Sequence, residues 1–522
     1  QNDYYSISKH AVSRFCLPNY HFCDATKAHN YFVYEDDLPL LFDEFNKIKS
    51  GEITEHSLHY RWLDRQHNPV WINCRGDVIL DEFNKPLYLI GCVNEIGKRQ
   101  KADNISGLLR EPCLEEYVSS KSKNNITGYF MQIGIDDFDE INGRFGLKCG
   151  DEILKQFSMC INENQKIYEL GNGRFIIMDL ANHSKEDILE LYDELKKSVE
   201  VALEENVYRV VYTISVGVVE IDKEMKDYDT LIKYSDFALN EAKKKGKNSC
   251  YFFTQDKYKQ FIRRREIRVE LQNAVDHNFK NFDVYYQPII DIHTRNLIGA
   301  EALMRFKMKR NEQIEFISPA EFIPILEESG LIIPAGRWIL RQAVACCKKW
   351  QEFIPEFKVN VNLSYVQIIK SKILDEIKQA LKDFNLKPAL LGIEVTESGY
   401  LENTYHYKKL WSSLKEEGIT LILDDYGTGY SNAYRLSDLT PHYIKIDRVL
   451  TQKALSSNYE RSILIYIIEM AHSLKLNVCI EGVETEEELQ EIKKLNPDYI
   501  QGYLFGKPAP EDEFYNRQIK KK

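Results

Sequence analysis

No apolar run in this chain reaches the ~18 residues that a membrane-spanning helix requires, so the sequence offers no candidate spanning segment. Nor is there a basic excess. With 69 Lys and Arg against 80 Asp and Glu, the formal charge is −11. A general nucleic-acid binder normally shows a basic footprint, so neither DNA nor RNA is expected as a partner. A small anionic nucleotide held by metal ions and an arginine stays compatible with that balance. The eleven cysteines are scattered, odd in number and without a Cys-x-x-Cys pair. Cys346 and Cys347 are adjacent on a predicted helix, where neighbouring side chains point apart. Reduced thiols in a cytoplasmic protein are the expectation. Gln1-Asn2-Asp3-Tyr4 lacks both a signal-peptide pattern and a Met. That is expected of a chain beginning inside a longer protein, with room for an upstream membrane or sensor segment.

What the sequence does contain is a series of short apolar, strand-like runs, each carrying a polar group. Val284–Ile290 carries Gln287, and Leu297–Phe306 carries Glu301 and Arg305. Phe357–Ser364 carries Asn362, and Leu391–Glu397 carries Glu394 and Glu397. Ile419–Asp425 ends in Asp424-Asp425, followed by Gly427-Thr428-Gly429. Tyr443–Asp447 carries Lys445 and Asp447, Asn477–Val483 carries Glu481, and Tyr499–Phe505 carries Gln501. Amphipathic helical segments such as Trp338–Trp350, Ile368–Leu381 and Ile463–Leu474 lie between them. Strands alternating with helices over roughly 250 residues argue for a closed α/β barrel with its functional groups at one mouth.

These motifs, in this order, resemble the EAL domain, a cyclic di-GMP phosphodiesterase with a modified TIM barrel. The resemblance rests on Gln287-Pro288, Glu301-Ala302-Leu303, Val361-Asn362-Leu363-Ser364, Glu394-Val395-Thr396-Glu397, Asp424-Asp425-Tyr426-Gly427-Thr428-Gly429, Lys445-Ile446-Asp447, Glu481-Gly482-Val483-Glu484-Thr485 and Gln501-Gly502-Tyr503. It implies a barrel domain over 262–522 that hydrolyses cyclic di-GMP to linear pGpG with two Mg²⁺ or Mn²⁺ ions. Hard ions want oxygen ligands, and the resemblance assigns them Glu301, Asn362, Glu394, Asp424, Asp425 and Glu481, with Asp424 bridging. Lys445 would hold or polarise the attacking water, and Glu481 would act as base or ligand. Arg305 suits a bidentate phosphate contact. Gln287, Gln501 and Asp447 would meet the substrate or its water. Glu397 would fix the loop after Tyr426, whose Gly427 and Gly429 let the backbone approach the ions. Related barrels commonly pair, so a homodimer is implied. The rival is a non-catalytic cyclic di-GMP receptor, which commonly lacks some of these acids.

Residues 103–254 resemble a GGDEF domain, an α/β fold that condenses two GTP. The likeness lies in Asp103–Leu108, Asp136, Phe138, Asn142, Gly150-Asp151, Ser215-Val216-Gly217 and Ala242–Asn248. The signature hairpin reads Gly171-Asn172-Gly173-Arg174-Phe175, with both acidic positions lost. The first metal aspartate falls at Gly134, and Asp139 replaces an expected lysine. The product-inhibition motif would fall at Asn162–Gln165 and is absent. No cyclase activity is expected. Asn142 and Asp151, the guanine-contacting pair, could still bind GTP as an effector, with Lys243 on a phosphate. The structural alternative is that Asn142 caps a turn and Asp151 caps the next helix.

Residues 1–98 contain three strand-like runs, His56–Asp64, Val70–Asp81 and Leu87–Glu95, after a helical Asp36–Ile48. They resemble the C-terminal half of a PAS domain, of α+β fold. Asn73-Cys74-Arg75 is similar to the photoactive cysteine motif of light-sensing PAS domains. That cysteine belongs on a helix, however, so Cys74 is expected to be an ordinary strand residue. No haem or flavin motif is convincing. A charged connector at 96–105 and a basic helical linker at 255–281, with Arg263, Arg264, Arg265 and Arg268, separate the domains. A solvated linker is expected of the latter.

Overall fold

Each apolar run of the C-terminal half forms a strand, and the strands close into a ring. They are β1 (Phe282–Asp291), β2 (Leu297–Arg310), β3 (Lys358–Asn362), β4 (Leu391–Thr396), β5 (Thr420–Tyr426), β6 (Tyr443–Ile446), β7 (Asn477–Glu481) and β8 (Tyr499–Gln501). Hydrogen bonding runs from β2 through β3 to β8, then to β1 and back to β2. β2 to β8 are parallel. β1 is antiparallel to both its neighbours. The cause is local: β1 and β2 are joined by five residues, 292–296. A parallel pair needs a crossover of a dozen residues or so, so the short link makes a hairpin.

The structure, a computed structural model, describes residues 4–81, 85–95, 103, 105–122, 127–160, 166–180, 184–204, 210–222, 227–310, 312–396, 404–427 and 440–520. Two units are compact, Gln1–Tyr258 and Lys259–Lys522. Helices surround the barrel and bury their apolar faces against it, with Phe322, Ala343, Trp350, Ile377, Leu414 and Leu464 fully buried. The helix predicted over Ile368–Leu381 is two helices, Tyr365–Lys370 and Ile373–Asp383. Ser364 opens the first with a capping box, and extended backbone at Ser371 ends it. The other two predicted helices start earlier than periodicity suggests, at Ile332 and Asn458.

The basic helix runs Gln255–Asp276 and stops short of residue 281. Its Ile267, Leu271 and Ala274 are buried in the barrel core. That buried face corrects the expectation of a solvated linker, while Arg264, Arg265 and Arg268 stay exposed. Arg263 pairs with Glu315 at 2.8 Å and also with Glu321, and Arg264 pairs with Glu328 at 2.6 Å.

In the first unit, a six-stranded sheet has Gly128–Ile135 at its centre, between Ile214–Ile221 and Arg174–Asp179. Gly171, Asn172 and Gly173 all adopt left-handed backbone, so the hairpin turn forms as Asn-Gly chemistry predicts. Glu55–Leu63, Pro69–Leu80 and Pro86–Glu95 form an antiparallel meander after helix Leu38–Ser50. Its core is built on Trp62, Tyr60, Phe32 and Ile72. Cys74 lies on the central strand, where burial pushes its thiol up to about 11. The connector at 96–105 lies mostly outside the described residues, as do Asn162–Gln165.

Candidate active site at the barrel mouth

Side chains alternate across a strand, so every second residue of each strand faces the barrel interior. At the mouth this places Glu301 (β2), Asn362 (β3), Glu394 (β4), Asp424 (β5), Lys445 (β6), Glu481 (β7) and Gln501 (β8) around one point. Lys445, 1% exposed, occupies that point. Its Nζ lies 2.9 Å from Glu301, 3.0 Å from Glu394, 3.3 Å from Asp424 and 2.7 Å from Glu481. Gln501 Nε2 donates to Glu301 Oε2 at 2.7 Å and to Gln287 Oε1 at 3.1 Å. Asn362 Nδ2 donates to Glu301 Oε1 at 2.7 Å. Gln287 reaches the group from the antiparallel strand because the β1–β2 register sets it opposite Glu301.

Asp425 should point away from Asp424 on a regular strand. It does not, because the β5–β6 register slips between Leu423 and Tyr426 and Asp425 takes a left-handed φ of 56°. Such backbone costs a non-glycine residue of order 1 kcal/mol or more and clusters at functional sites. It lets both carboxylates face the mouth. Oxygens of Glu301, Glu394 and Asp424, and of Asp424, Asp425 and Glu481, lie within 4.8 Å of one another in each trio.

The electrostatics follow from burial and crowding. Burial raises the Glu301 carboxyl, but the Lys445 charge and hydrogen bonds from Gln501, Lys445 and Asn362 outweigh it and hold it below its usual range. Burial, then the charges of Glu301 and Asp424, push Glu394 well above its usual range. Asp424 is raised by burial, against Lys445. Asp425 is pushed up to about 6 by burial and the Asp424 charge. Glu481 reaches about 8, mainly through burial. Burial lowers Lys445, yet the surrounding carboxylates more than reverse this and keep it charged.

Lys445 pairs with four of the five carboxylates in the two trios, and with all five ionised the group would carry four negative charges in excess. Two divalent cations would balance that charge, and the donor set is all oxygen, as hard ions require. The residues therefore fit such ions. Gln501 Oε1 is buried without a hydrogen-bond partner, a further acceptor at the cage.

Arg305 has no carboxylate partner among the described residues. It donates to the Met304 carbonyl at 2.9 Å, lies 5.5 Å from the Tyr285 ring centroid, and is lowered by burial. It lines a cavity of about 620 Å³ together with Asn362, Glu394, Glu327 and Ser364. A second cavity, of about 260 Å³, holds Glu301, Lys445, Glu481, Gln501 and Tyr503.

Some expectations resolve differently. Asp447, expected at the substrate, caps helix Arg448–Ser456 by accepting from Val449 N–H at 2.7 Å, and lines neither cavity. Gly427 takes a left-handed φ of 99°, which favours glycine, and a Cβ there would stand 2.7 Å from Leu450 Cδ2. Glu397, Thr428 and Gly429 lie outside the described residues. In the middle domain, helix Leu147–Met159 starts four residues before Asp151, so Asp151 is not its cap. Asn142 Oδ1 is buried with no partner. Lys243 Nζ lies 3.1 Å from where a Cβ on Gly134 would stand, filling the place of the absent side chain. Sequence reasoning missed Asn360 and Tyr443, which sit two residues before Asn362 and Lys445 and hence on the same strand face. Period two was the available signal.

The EAL domain family model matches residues 268–508, the part of the chain that forms this barrel. The Diguanylate cyclase, GGDEF domain model matches 101–249, and the PAS fold model matches 21–93. The chain thus carries PAS, GGDEF and EAL domains in that order. It is 31% identical over 399 residues to Signaling protein YkoW of Bacillus subtilis (strain 168), covering 75% of this chain and 48% of that protein. It is 27% identical over 465 residues to Cyclic di-GMP phosphodiesterase PdeR of Escherichia coli (strain K12), covering 87% of this chain and 68% of PdeR. The chain thus spans about half of YkoW and about two thirds of PdeR. Among solved structures, the PaMucR phosphodiesterase in complex with c-di-GMP is 29% identical, covers 48% of this chain and 99% of its own, and has a TM-score of 0.45.

Proposed function

We propose that the barrel hydrolyses cyclic di-GMP to linear pGpG. The observation that carries this is the cage, five carboxylates in two trios with four of them on Lys445, beside a cavity where Arg305 has no acidic partner among the described residues. Glu301, Asn362, Glu394, Asp424, Asp425 and Glu481 would hold two Mg²⁺ or Mn²⁺ ions. Those ions would supply Lewis-acid stabilisation of the charge gathering on phosphorus. Arg305 would clamp a phosphate oxygen pair through its planar fork. Gln287 and Gln501, already joined to each other, would orient the phosphodiester or the attacking water. Lys445 Nζ stays protonated in this setting and donates hydrogen bonds. Glu481 would act as cation ligand or, once the ions have displaced its proton, as base. The test is chromatography of cyclic di-GMP incubated with the protein and Mn²⁺ or Mg²⁺. pGpG is expected; intact substrate bound tightly with both ions would instead establish the receptor reading.

No cyclase activity belongs to this proposal, because Gly134 and Gly173 bring no carboxylate to the GGDEF hairpin region. The middle domain is proposed instead to bind GTP and modulate the barrel. In support, Asn142 Oδ1 lacks a partner and Asp151 is not occupied as a cap. GTP is expected to change the hydrolysis rate by at least about fivefold, a typical coupling between two sites. A flat rate against GTP, or an unaltered response in Asn142→Ala/Asp151→Ala, would show that the domain does not act this way.

A further inference from the structure

Below the acid cage the barrel interior has a second layer, made of the residues two positions earlier on the same strands. Ile422, Tyr443 and Cys479, with Ile289, form an apolar cluster there. Asn360 belongs to the same layer and is 3% exposed. Its amide Nδ2 donates to Glu394 Oε1 at 2.8 Å and to the Tyr443 hydroxyl. A slot accommodates this amide. On the neighbouring strand Gly392 faces it, and a Cβ on Gly392 would stand 2.3 Å from Asn360 Oδ1. The Tyr443 ring is held edge-on to Tyr499, with centroids 5.7 Å apart.

We infer that Asn360 and Tyr443 are positioning residues for the cage, pinning one oxygen of Glu394 to the barrel floor so that the other is held at the cation position. The inference rests on reading the cage as a divalent-cation site. The terminal torsion of a glutamate is broad and roughly two-fold, so a buried carboxylate is directed only by its hydrogen bonds. Lys445 holds Glu394 Oε2 at 3.0 Å and Asn360 holds Oε1. Without Asn360, a carboxylate crowded by Glu301 and Asp424 would be free to turn away from them. Tyr443 and the Gly392 slot in turn fix the amide. The sequence thus builds an ordered chain: glycine slot and hydroxyl, then amide, then carboxylate, then cation.

The test is Mn²⁺ affinity by calorimetry on the full chain, with melting temperature as a folding check. Partners that orient a metal ligand are typically worth 10–100-fold in metal affinity. Asn360→Ala is expected to weaken Mn²⁺ binding by about tenfold or more on that scale. Tyr443→Phe, which keeps the ring, is expected to weaken it by less. Gly392→Ala should act in the same direction by displacing the amide, yet add little in the Asn360→Ala background, because both changes break one linkage. At saturating Mn²⁺, KM for cyclic di-GMP should remain that of the wild type. Wild-type Mn²⁺ affinity in Asn360→Ala, with only a lower melting temperature, would overturn the inference. So would additive effects of Gly392→Ala and Asn360→Ala. If the wild-type protein binds no Mn²⁺, the cation reading of the cage fails first, and the inference falls with it.

Discussion

Asp424→Asn is expected to abolish cyclic di-GMP hydrolysis, by at least about a thousandfold or ~4 kcal/mol of barrier, while leaving the metal-free protein as stable as wild type or more so. Asp424 is the one carboxylate shared by both trios of the cage, so its loss removes negative charge from both cation positions at once. Its replacement preserves shape. Asp424 Oδ1 accepts the Asp425 N–H at 2.9 Å, a bond that an asparagine oxygen can keep, so the left-handed turn at Asp425 should survive. The stability effect has the opposite sign because burial and the Glu301 charge both disfavour the ionised Asp424 carboxyl. A neutral amide relieves that repulsion. Steady-state turnover and melting in chelator check the two halves separately. Near-normal turnover would refute the shared-ligand role, and a large drop in metal-free melting temperature would refute the electrostatic account.

Lys445→Met is expected to destabilise the metal-free protein by about 3–5 kcal/mol, the usual cost of removing one partner from a buried ion network. Four carboxylates now held at 2.7 to 3.3 Å from Nζ would lose their counter-charge. The loss should depend on pH with a definite sign. In the wild type, Asp425 and Glu481 sit at about 6 and about 8 in the folded state, above their unfolded values. The folded form therefore holds more protons than the unfolded one from the ordinary carboxylate range, about 4, up to about 8. Stability contributed by this cage falls as pH rises through that window. Without Lys445 the carboxylates are pushed higher still, so the fall should steepen. Melting in chelator at pH 5.5 and 8.5 measures this: the variant should lose more than the wild type at the higher pH, and Mn²⁺ should restore more of its stability. Equal melting temperatures at pH 8.5 would show that Lys445 does not balance the cage.

Much of the barrel was legible because its strands are short apolar runs, each of which must be buried, and because the mouth residues follow one motif order. The antiparallel first strand was legible too, in the six residues between Ile290 and Leu297, too few for a crossover; helix alternation elsewhere hid it. The split of Ile368–Leu381 into two helices was written in the capping pair Ser364 and Gln367, which amphipathic periodicity alone does not weigh. Asp447 looked like a site residue because it follows Lys445-Ile446, but a carboxylate immediately before a helix serves equally well as its cap.

The sequence by itself determined which residues reach the barrel interior, since period two along a strand is fixed by chirality and pleat. It also determined the excess of acid there. Only the tertiary structure decided how those acids are shared. Lys445 sits among four carboxylates drawn from four different strands, a distance relation that no single segment encodes. Asp425 joins Asp424 at the mouth only because the register slips against β6, and strand pairing is a property of two segments at once. Asn360 reaches Glu394 only because Gly392, on the neighbouring strand, leaves it room. Contacts between strands depend on barrel closure, and closure is settled when all eight strands pack together.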